Sequence, residues 1–397
     1  MYSQLYAPVA SARSPEACLT SQNNPDLELE ADGYMLRFPA VWLRDNCPCA
    51  ECLDPVSGQK LKDITELPDD VTVSGVSIAG ESVVVTFAPD RHRSVFLRSW
   101  LAEHALDDGH DASRHDGDGR TEDDKELWLP SDLDRLPEAS WPGYLGEPAD
   151  RASALDAVLR WGFVLVHDVP AEPGMVLEVA ASFGFVRETN YGRLFDVRVE
   201  PRPGNLAFTS RRILPHTDNP YRDPVPTVQL LHCLRAADDG GETGLVDGFA
   251  AARELRATDR AAFDLIAGTP VPFGYKDKST ELRASQPLIQ LSPRGRIRGV
   301  RFNNRSAQPL RRPYREVVAF YTAYRQWAEL LARPERQLNL RLAPGDCLVF
   351  DNTRIMHART AFSVTGGRHL QGCYADLDGL ASTLAVLRRA RRRYDRR

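Results

Sequence analysis

The sequence predicts a mainly β fold with flanking helices. Three observations carry that expectation. Short β-branched and apolar runs such as Val83 to Phe87 and Val225 to Leu234 recur along the chain. Segments with apolar residues at helical spacing are few by comparison. No Gly-rich loop joins a strand to a helix, as a nucleotide-binding doubly wound sheet would require.

Taken in order, residues 1–25 are polar and aperiodic and read as a loose arm. Residues 26–106 read as a small α+β module. In it Val71 to Ile78 and Val83 to Phe87 are expected strands, joined by the turn Ala79-Gly80-Glu81-Ser82. Val95, Phe96, Trp100 and Leu101 then predict a short helix over Ser94 to Leu106. Residues 107–140 form an acidic linker, crowded with Asp, Gly, His and Arg where it begins. Residues 141–397 make one larger domain. Helices over Ala152 to Trp161 and Gly174 to Phe185 bracket a strand at Gly162 to Val169. Further strands are expected at Val225 to Leu234, Gly244 to Asp247, Arg298 to Asn303 and Cys347 to Asp351. Val317, Phe320, Tyr321, Tyr324, Trp327 and Leu331 repeat at three and four, which predicts a long helix over Tyr314 to Leu331.

Composition narrows the function. The chain is 42% hydrophobic and 26% charged, the balance of a globular protein. No apolar run approaches the roughly 18 residues of a membrane span, and the N-terminus lacks the pattern of a secretory signal. A net charge of −5 argues against a nucleic-acid partner. The arginines crowding the last ten residues read as a solvated helix end. Seven cysteines, of which Cys18, Cys233, Cys347 and Cys373 are scattered, do not make a disulfide framework. The expectation is a cytoplasmic protein with one thiolate cluster.

The chemistry concentrates in Pro215-His216-Thr217-Asp218-Asn219-Pro220. On an extended strand His216 and Asp218 point the same way, so imidazole and carboxylate can share one metal. Asp351 to His357 comes directly after the apolar run Cys347 to Phe350, so His357 is expected at the end of that strand, where it could supply the second imidazole of a two-His-one-carboxylate site with an open face for substrate and dioxygen. Arg368, eleven residues later, offers a guanidinium that can grip the carboxylate of an oxoacid with two parallel hydrogen bonds. Thr243, in Gly240-Gly241-Glu242-Thr243, could present a hydroxyl to the same carboxylate.

Cys47, Cys49 and Cys52 bring three soft thiolates within reach of one ion, which suits tetrahedral Zn(II). From the sequence the fourth ligand could be His92, His104, His110 or His115. With four protein ligands that site would be closed and structural, and would supply folding energy to a module with little core.

His216, Asp218, His357 and Arg368 match the pattern of the taurine dioxygenase-like superfamily. Trp42-Leu43-Arg44-Asp45-Asn46-Cys47-Pro48-Cys49, Gln229-Leu230-Leu231-His232-Cys233, Val246-Asp247-Gly248-Phe249 and Tyr374-Ala375-Asp376 narrow the resemblance to the γ-butyrobetaine dioxygenase family, from about Glu28 to about Arg389. That resemblance implies a double-stranded β-helix (jelly-roll) oxygenase core plus an N-terminal zinc-binding domain. It implies Fe(II) on His216, Asp218 and His357, and 2-oxoglutarate held by Arg368 and Thr243. It selects His92 as the fourth zinc ligand, and implies ascorbate as an activator and a homodimer. It also implies a trimethylammonium cage from Tyr191, Phe195, Phe208 and Tyr374, since a quaternary ammonium has no N–H and is recognised by aromatic faces. Asn205 and Asn304, or its neighbour Asn303, match the positions that bind the substrate carboxylate.

The implied function is hydroxylation of a trimethylammonium compound, with γ-butyrobetaine to L-carnitine the first choice. Arg305, beside the asparagines, introduces an alternative, because an added cation suits a phosphonate such as 2-(trimethylammonio)ethylphosphonate better than a carboxylate. A rival of another class is an inactive zinc-dependent scaffold. The presence of all four of His216, Asp218, His357 and Arg368 disfavours it.

Overall fold

The computed structural model describes residues 26–31, 34–105, 121–199, 209–363 and 367–394. The expected arm, residues 107–120 of the linker, and the candidates Asn205 and Phe208 lie outside the described residues. The chain divides into two compact units, Met1–His115 and Asp116–Arg397.

In the first unit a hairpin, Leu27–Ala31 with Tyr34–Phe38, leads into the short helix Ala40–Asp45. A three-stranded antiparallel meander follows, made of Thr72–Ala79, Ser82–Ala88 and Arg93–Leu97. Phe38, Leu43, Val83, Val85, Phe87 and Phe96 pack into one small core. The helix expected over Ser94 to Leu106 is a strand for its first part and a helix only over Arg98–Glu103. The reason is visible in the burial: Ser94 and Phe96 point inward while Val95 and Leu97 face out, a period of two that pairing with Ser82–Ala88 enforces.

The second unit is mainly β, with helices on its flanks. A six-stranded sheet runs in the spatial order Glu138–Ser140, Phe163–His167, Cys347–Asp351, Val228–Arg235, His369–Ala375, Phe195–Arg198. A four-stranded sheet runs Leu338–Leu340, Thr243–Asp247, Ile355–Arg359, Ile213–His216. Inner-face residues of both meet in one core, including Phe163, Leu231, Leu348 and Phe350 from the first and Leu245 and Ile355 from the second. The other face of the six-stranded sheet buries Val164, Leu230 and Val349 against the helices Pro148–Trp161, Met175–Ala181 and Leu377–Tyr394. Val246 and Met356, on the outer side of the four-stranded sheet, meet the helices Gly248–Thr258, Arg260–Gly268 and Tyr314–Leu331.

Residues 121–140, expected as the end of the linker, instead belong to this unit's framework. Trp128 is buried and donates its indole N–H to the Trp161 carbonyl, and Glu138–Ser140 joins the sheet in parallel. Acidic composition misled because Glu122 is buried beside Arg256, which donates to both its oxygens at 2.8 and 2.9 Å. The expected strand Arg298 to Asn303 ends at Val300; beyond it the Asn303 amide N–H turns to the Thr217 carbonyl. One interaction anchors several segments at once. Arg354 and Asp247, both fully buried, pair at 2.8 Å, while the guanidinium also donates to the carbonyls of Arg160 and Glu126. Among the described residues no helix is long and apolar enough to cross a membrane.

Candidate functional site

The strands Ile213–His216 and Ile355–Arg359 pair with His216 directly opposite His357, and their ring centroids are 4.1 Å apart. His216 donates Nδ1–H to the Leu214 carbonyl at 2.9 Å, so its Nε2 is the lone-pair nitrogen. That Nε2 lies 3.5 Å from Asp218 Oδ1, and His357 Nε2 lies 4.0 Å from Asp218 Oδ2. One donor atom from each residue falls within 4.8 Å of the others, the reach of a single ion. Asp218 itself is held by its main chain: its N–H donates to Asn352 Oδ1, and Asn352 Nδ2 donates back to the Asp218 carbonyl. Its carboxylate Oδ2 accepts from Gln229 at 2.8 Å and from the Tyr374 hydroxyl at 2.9 Å.

The electrostatics suit a metal. Burial lowers the His357 pKa to about 3, with His216 and Arg305 acting in the same direction and Asp218 against it. Burial also lowers that of His216. Both imidazoles are therefore neutral, the form that coordinates. Burial alone would raise Asp218, but its surroundings, the Arg305 charge among them, hold it well below the usual carboxylate range. Neutral imidazoles and an ionised carboxylate are the donor set of a divalent transition metal.

The three residues lie in a cavity of about 430 Å³, within the range of small-ligand sites. Arg368 and Thr243 line the same cavity and both are buried. Arg368 stacks over the Phe362 ring at 5.4 Å, and its Nη1 has no hydrogen-bond partner among the described residues. Gly241, at φ +74°, makes room for it, since a Cβ there would come within 3.1 Å of Arg368 Cδ and Nε. A second buried guanidinium, Arg359, was missed from the sequence. It lines the cavity and donates to the Arg211 carbonyl at 2.9 Å; burial, then Arg368 and Arg305, push its pKa down to about 10. The available signal was its place two residues after His357, hence on the same face of the strand.

One wall is aromatic. Tyr191, Phe195 and Tyr374 come together as expected, with Tyr191–Phe195 and Phe195–Tyr374 centroids 6.0 and 5.2 Å apart. Tyr221 and Tyr275, absent from the sequence reading, extend the wall: their rings stack at 5.0 Å, and the Tyr191 and Tyr221 hydroxyls are 3.0 Å apart. Tyr221 follows Asp218 by three residues, while Tyr275 carries no local signal. The expected asparagines fare differently. Asn303 lines the cavity, but its amide is engaged by the Thr217 carbonyl and the Arg305 N–H. Asn304 does not reach the cavity; it is exposed and accepts the Tyr324 hydroxyl at 2.9 Å. In the turn after Phe302, Asn303, Arg305 and Ser306 line the cavity and Asn304 does not. Arg305 sits at the cavity mouth, where partial burial lowers its pKa while Asp218, Tyr191 and Tyr221 act against that. Among the described residues it has no ion-pair partner.

In the first unit Cys47, Cys49, Cys52 and His92 form a second cluster. Their sulfurs stand 3.1, 3.6 and 3.6 Å from His92 Nε2. A tetrahedral zinc with Zn–S about 2.3 Å and Zn–N about 2.0 Å separates such atoms by about 3.5 Å. Arg44, buried, donates to Cys52 Sγ at 3.2 Å and to Asp90 at 2.9 Å, and Asp90 in turn accepts the His92 backbone N–H. Burial pushes the Cys47 thiol up to about 11, so a cation is what would keep it ionised. Of the two described candidates, His92 and His104, it is His92 that lies beside the three sulfurs; His110 and His115 lie outside the described residues.

Residues 137–374 match the model described as taurine catabolism dioxygenase TauD, TfdA family, and residues 20–102 match the γ-butyrobetaine hydroxylase-like N-terminal model. A γ-butyrobetaine dioxygenase of Pseudomonas sp. (strain AK-1) is 35% identical over 370 residues, covering 90% of this chain and 92% of the relative. A trimethyllysine dioxygenase of Meyerozyma guilliermondii is 30% identical, covering 93% and 95%. The γ-butyrobetaine dioxygenase of Homo sapiens is 30% identical, covering 88% and 91%. Among solved structures, an asparagine oxygenase in complex with Fe(II), 3-hydroxyasparagine and succinate aligns at TM-score 0.46 and 17% identity, covering 59% of this chain and 82% of that one.

Proposed function

Because the chain belongs to the taurine catabolism dioxygenase TauD, TfdA family, we propose that it hydroxylates a trimethylammonium compound with Fe(II) and 2-oxoglutarate, γ-butyrobetaine being the first choice. The observation that carries this reading is the convergence of His216, Asp218 and His357 in a cavity that also holds Arg368 and an aromatic wall. The two facing sheets are read as a double-stranded β-helix, and the first unit as a module stabilised by zinc on Cys47, Cys49, Cys52 and His92.

His216 Nε2, Asp218 and His357 Nε2 would hold the iron. Bound there, iron supplies dioxygen activation coupled to decarboxylation of the oxoacid to succinate and CO₂. Arg368 would take the distal carboxylate of 2-oxoglutarate, with the Thr243 hydroxyl as a second donor; the Nη1, unpartnered among the described residues, and the glycine beside the guanidinium support that role. Tyr191, Phe195 and Tyr374, with Tyr221 and Tyr275, would surround the trimethylammonium group and exclude water. Holding both ends of the substrate selects the C–H between them. Ascorbate as an activator and a homodimer complete the reading, the second being open to light scattering.

A second substrate has one observation in its favour. Arg305 has no ion-pair partner among the described residues and faces the cavity, which suits the doubly charged phosphonate of 2-(trimethylammonio)ethylphosphonate. Mass spectrometry of product from the two substrates in competition, with Fe(II), 2-oxoglutarate and oxygen, tests both. Carnitine as the main product supports the first; a hydroxylated phosphonate supports the second and gives Arg305 a role. Neither product, with succinate still formed, overturns the substrate reading and leaves the iron assignment. His216→Ala should abolish oxoacid turnover, and full activity in that variant would remove the iron assignment.

A further inference from the structure

Tyr374 has two neighbours of different kinds. Its ring belongs to the aromatic wall, 5.2 Å from Phe195, while its hydroxyl donates to Asp218 Oδ2 at 2.9 Å. Gln229 Nε2 donates to the same oxygen at 2.8 Å. The convergence is built into the sheet, because Gln229 and Tyr374 are direct cross-strand partners on the central strands Val228–Arg235 and His369–Ala375. Both residues are almost completely buried. A carboxylate oxygen has about two lone-pair directions, so two donors leave Oδ2 saturated. Oδ1, 3.5 Å from His216 Nε2, takes neither of these bonds. The Asn352 amide meanwhile fixes the Asp218 main chain on both sides, so the orientation of the carboxylate is set by Gln229 and Tyr374.

We infer that Gln229 and Tyr374 are positioning residues for the metal carboxylate: together they hold Oδ2 of Asp218, leave Oδ1 as the atom offered to the ion, and make Tyr374 serve metal and aromatic wall at once. The inference rests on the iron reading above. It separates two properties that a plain wall residue would not. Tyr374→Phe keeps the ring and loses only the hydroxyl, so it should weaken metal binding more than the ammonium contact. Partners of this kind are worth about 10- to 100-fold in metal affinity.

The test uses the full chain stripped of iron and titrated with Mn(II), a hard ion that a thiolate cluster disfavours, with the free ion followed by electron paramagnetic resonance. The affinity for γ-butyrobetaine is measured separately by calorimetry on the Mn(II) form. Tyr374→Phe and Gln229→Leu are each expected to raise the Mn(II) Kd about tenfold or more. Infrared difference spectra should show a carboxylate stretch splitting that moves toward two-oxygen chelation. In Tyr374→Phe the betaine Kd should rise by a smaller factor than the Mn(II) Kd, because the ring face is retained while the hydroxyl is lost. If Gln229→Leu does not fold, Gln229→Met removes the same donor. Wild-type Mn(II) affinity and an unchanged carboxylate spectrum in both variants would overturn the inference. Failure of the iron reading looks different: the wild-type chain itself would then bind no Mn(II) at this site.

Discussion

Gly372 lies directly opposite Phe195 in the sheet, and the Phe195 ring rests on it. A Cβ at position 372 would meet ring atoms Cε2 and Cζ at 2.6 Å and the Leu230 carbonyl oxygen at 3.1 Å. Leu230 belongs to a central strand with neighbours on both sides and cannot retreat. In Gly372→Ala the ring must therefore withdraw, by about 1 Å to regain an ordinary carbon–carbon contact of about 3.6 Å. That displacement disturbs its packing on Tyr374 and Tyr191 and the face it offers to a cation. One cation–π contact is worth about 0.5 to 2 kcal/mol, which converts to about 2- to 30-fold in affinity. Steady-state kinetics should show the KM for the trimethylammonium substrate rising by a factor in that range, with the KM for 2-oxoglutarate unchanged, because Arg368 and Thr243 stand elsewhere. Overpacking should also cost about 1 to 3 kcal/mol of stability, measured by urea denaturation. An unchanged substrate KM, or an equal rise for both substrates, would refute the reasoning.

Cys49→Ser should lower both zinc content by elemental analysis and the melting temperature, since the metal is assigned a structural role; unchanged values would remove the zinc assignment. Arg354→Met should cost about 3 to 5 kcal/mol in urea denaturation, because it strands the buried Asp247 carboxylate; a loss under about 1 kcal/mol would show that the pair is not an anchor. The metal-free protein should lose stability as pH falls. With a folded pKa of about 3 for His357 against about 6.5 unfolded, the unfolded chain takes up a proton that the native state refuses. The contribution is complete above about pH 6.5 and is lost toward pH 3, by up to about 1.4 kcal/mol per pH unit. It is read as the difference between wild type and His357→Gln, and a flat difference between about pH 6.5 and 4.5 would count against the buried neutral imidazole.

Much of the frame was legible because its periodicities are local. The strand Cys347–Asp351 and the helix Tyr314–Leu331 have the limits that their apolar spacing suggests. The strand Arg93–Leu97 was not, since Val95, Phe96, Trp100 and Leu101 also fit a helix, and only pairing with Ser82–Ala88 decides for the strand. Glu122 looked like linker because its partner, Arg256, lies far along the chain. In the site, His216, Asp218, His357, Arg368 and Thr243 could be singled out because metal and carboxylate chemistry restrict the residue types that can serve, and the structure brings the five to one cavity. Tyr275 was not, since an aromatic residue on a strand has an ordinary reading as core until the cavity is seen. Asn304 shows the opposite failure: the residue type fits an anion, but the backbone aims it at Tyr324.

The pairing of His216 with His357 across two neighbouring strands has a consequence for how the chain matures. A slip of one residue between these strands would turn one imidazole to the opposite face, and the ion would lose a ligand. On the iron reading, metal binding would therefore demand the correct strand alignment. A chain slipped by one residue would not assemble the three-ligand set, so bound metal would report a correctly assembled sheet.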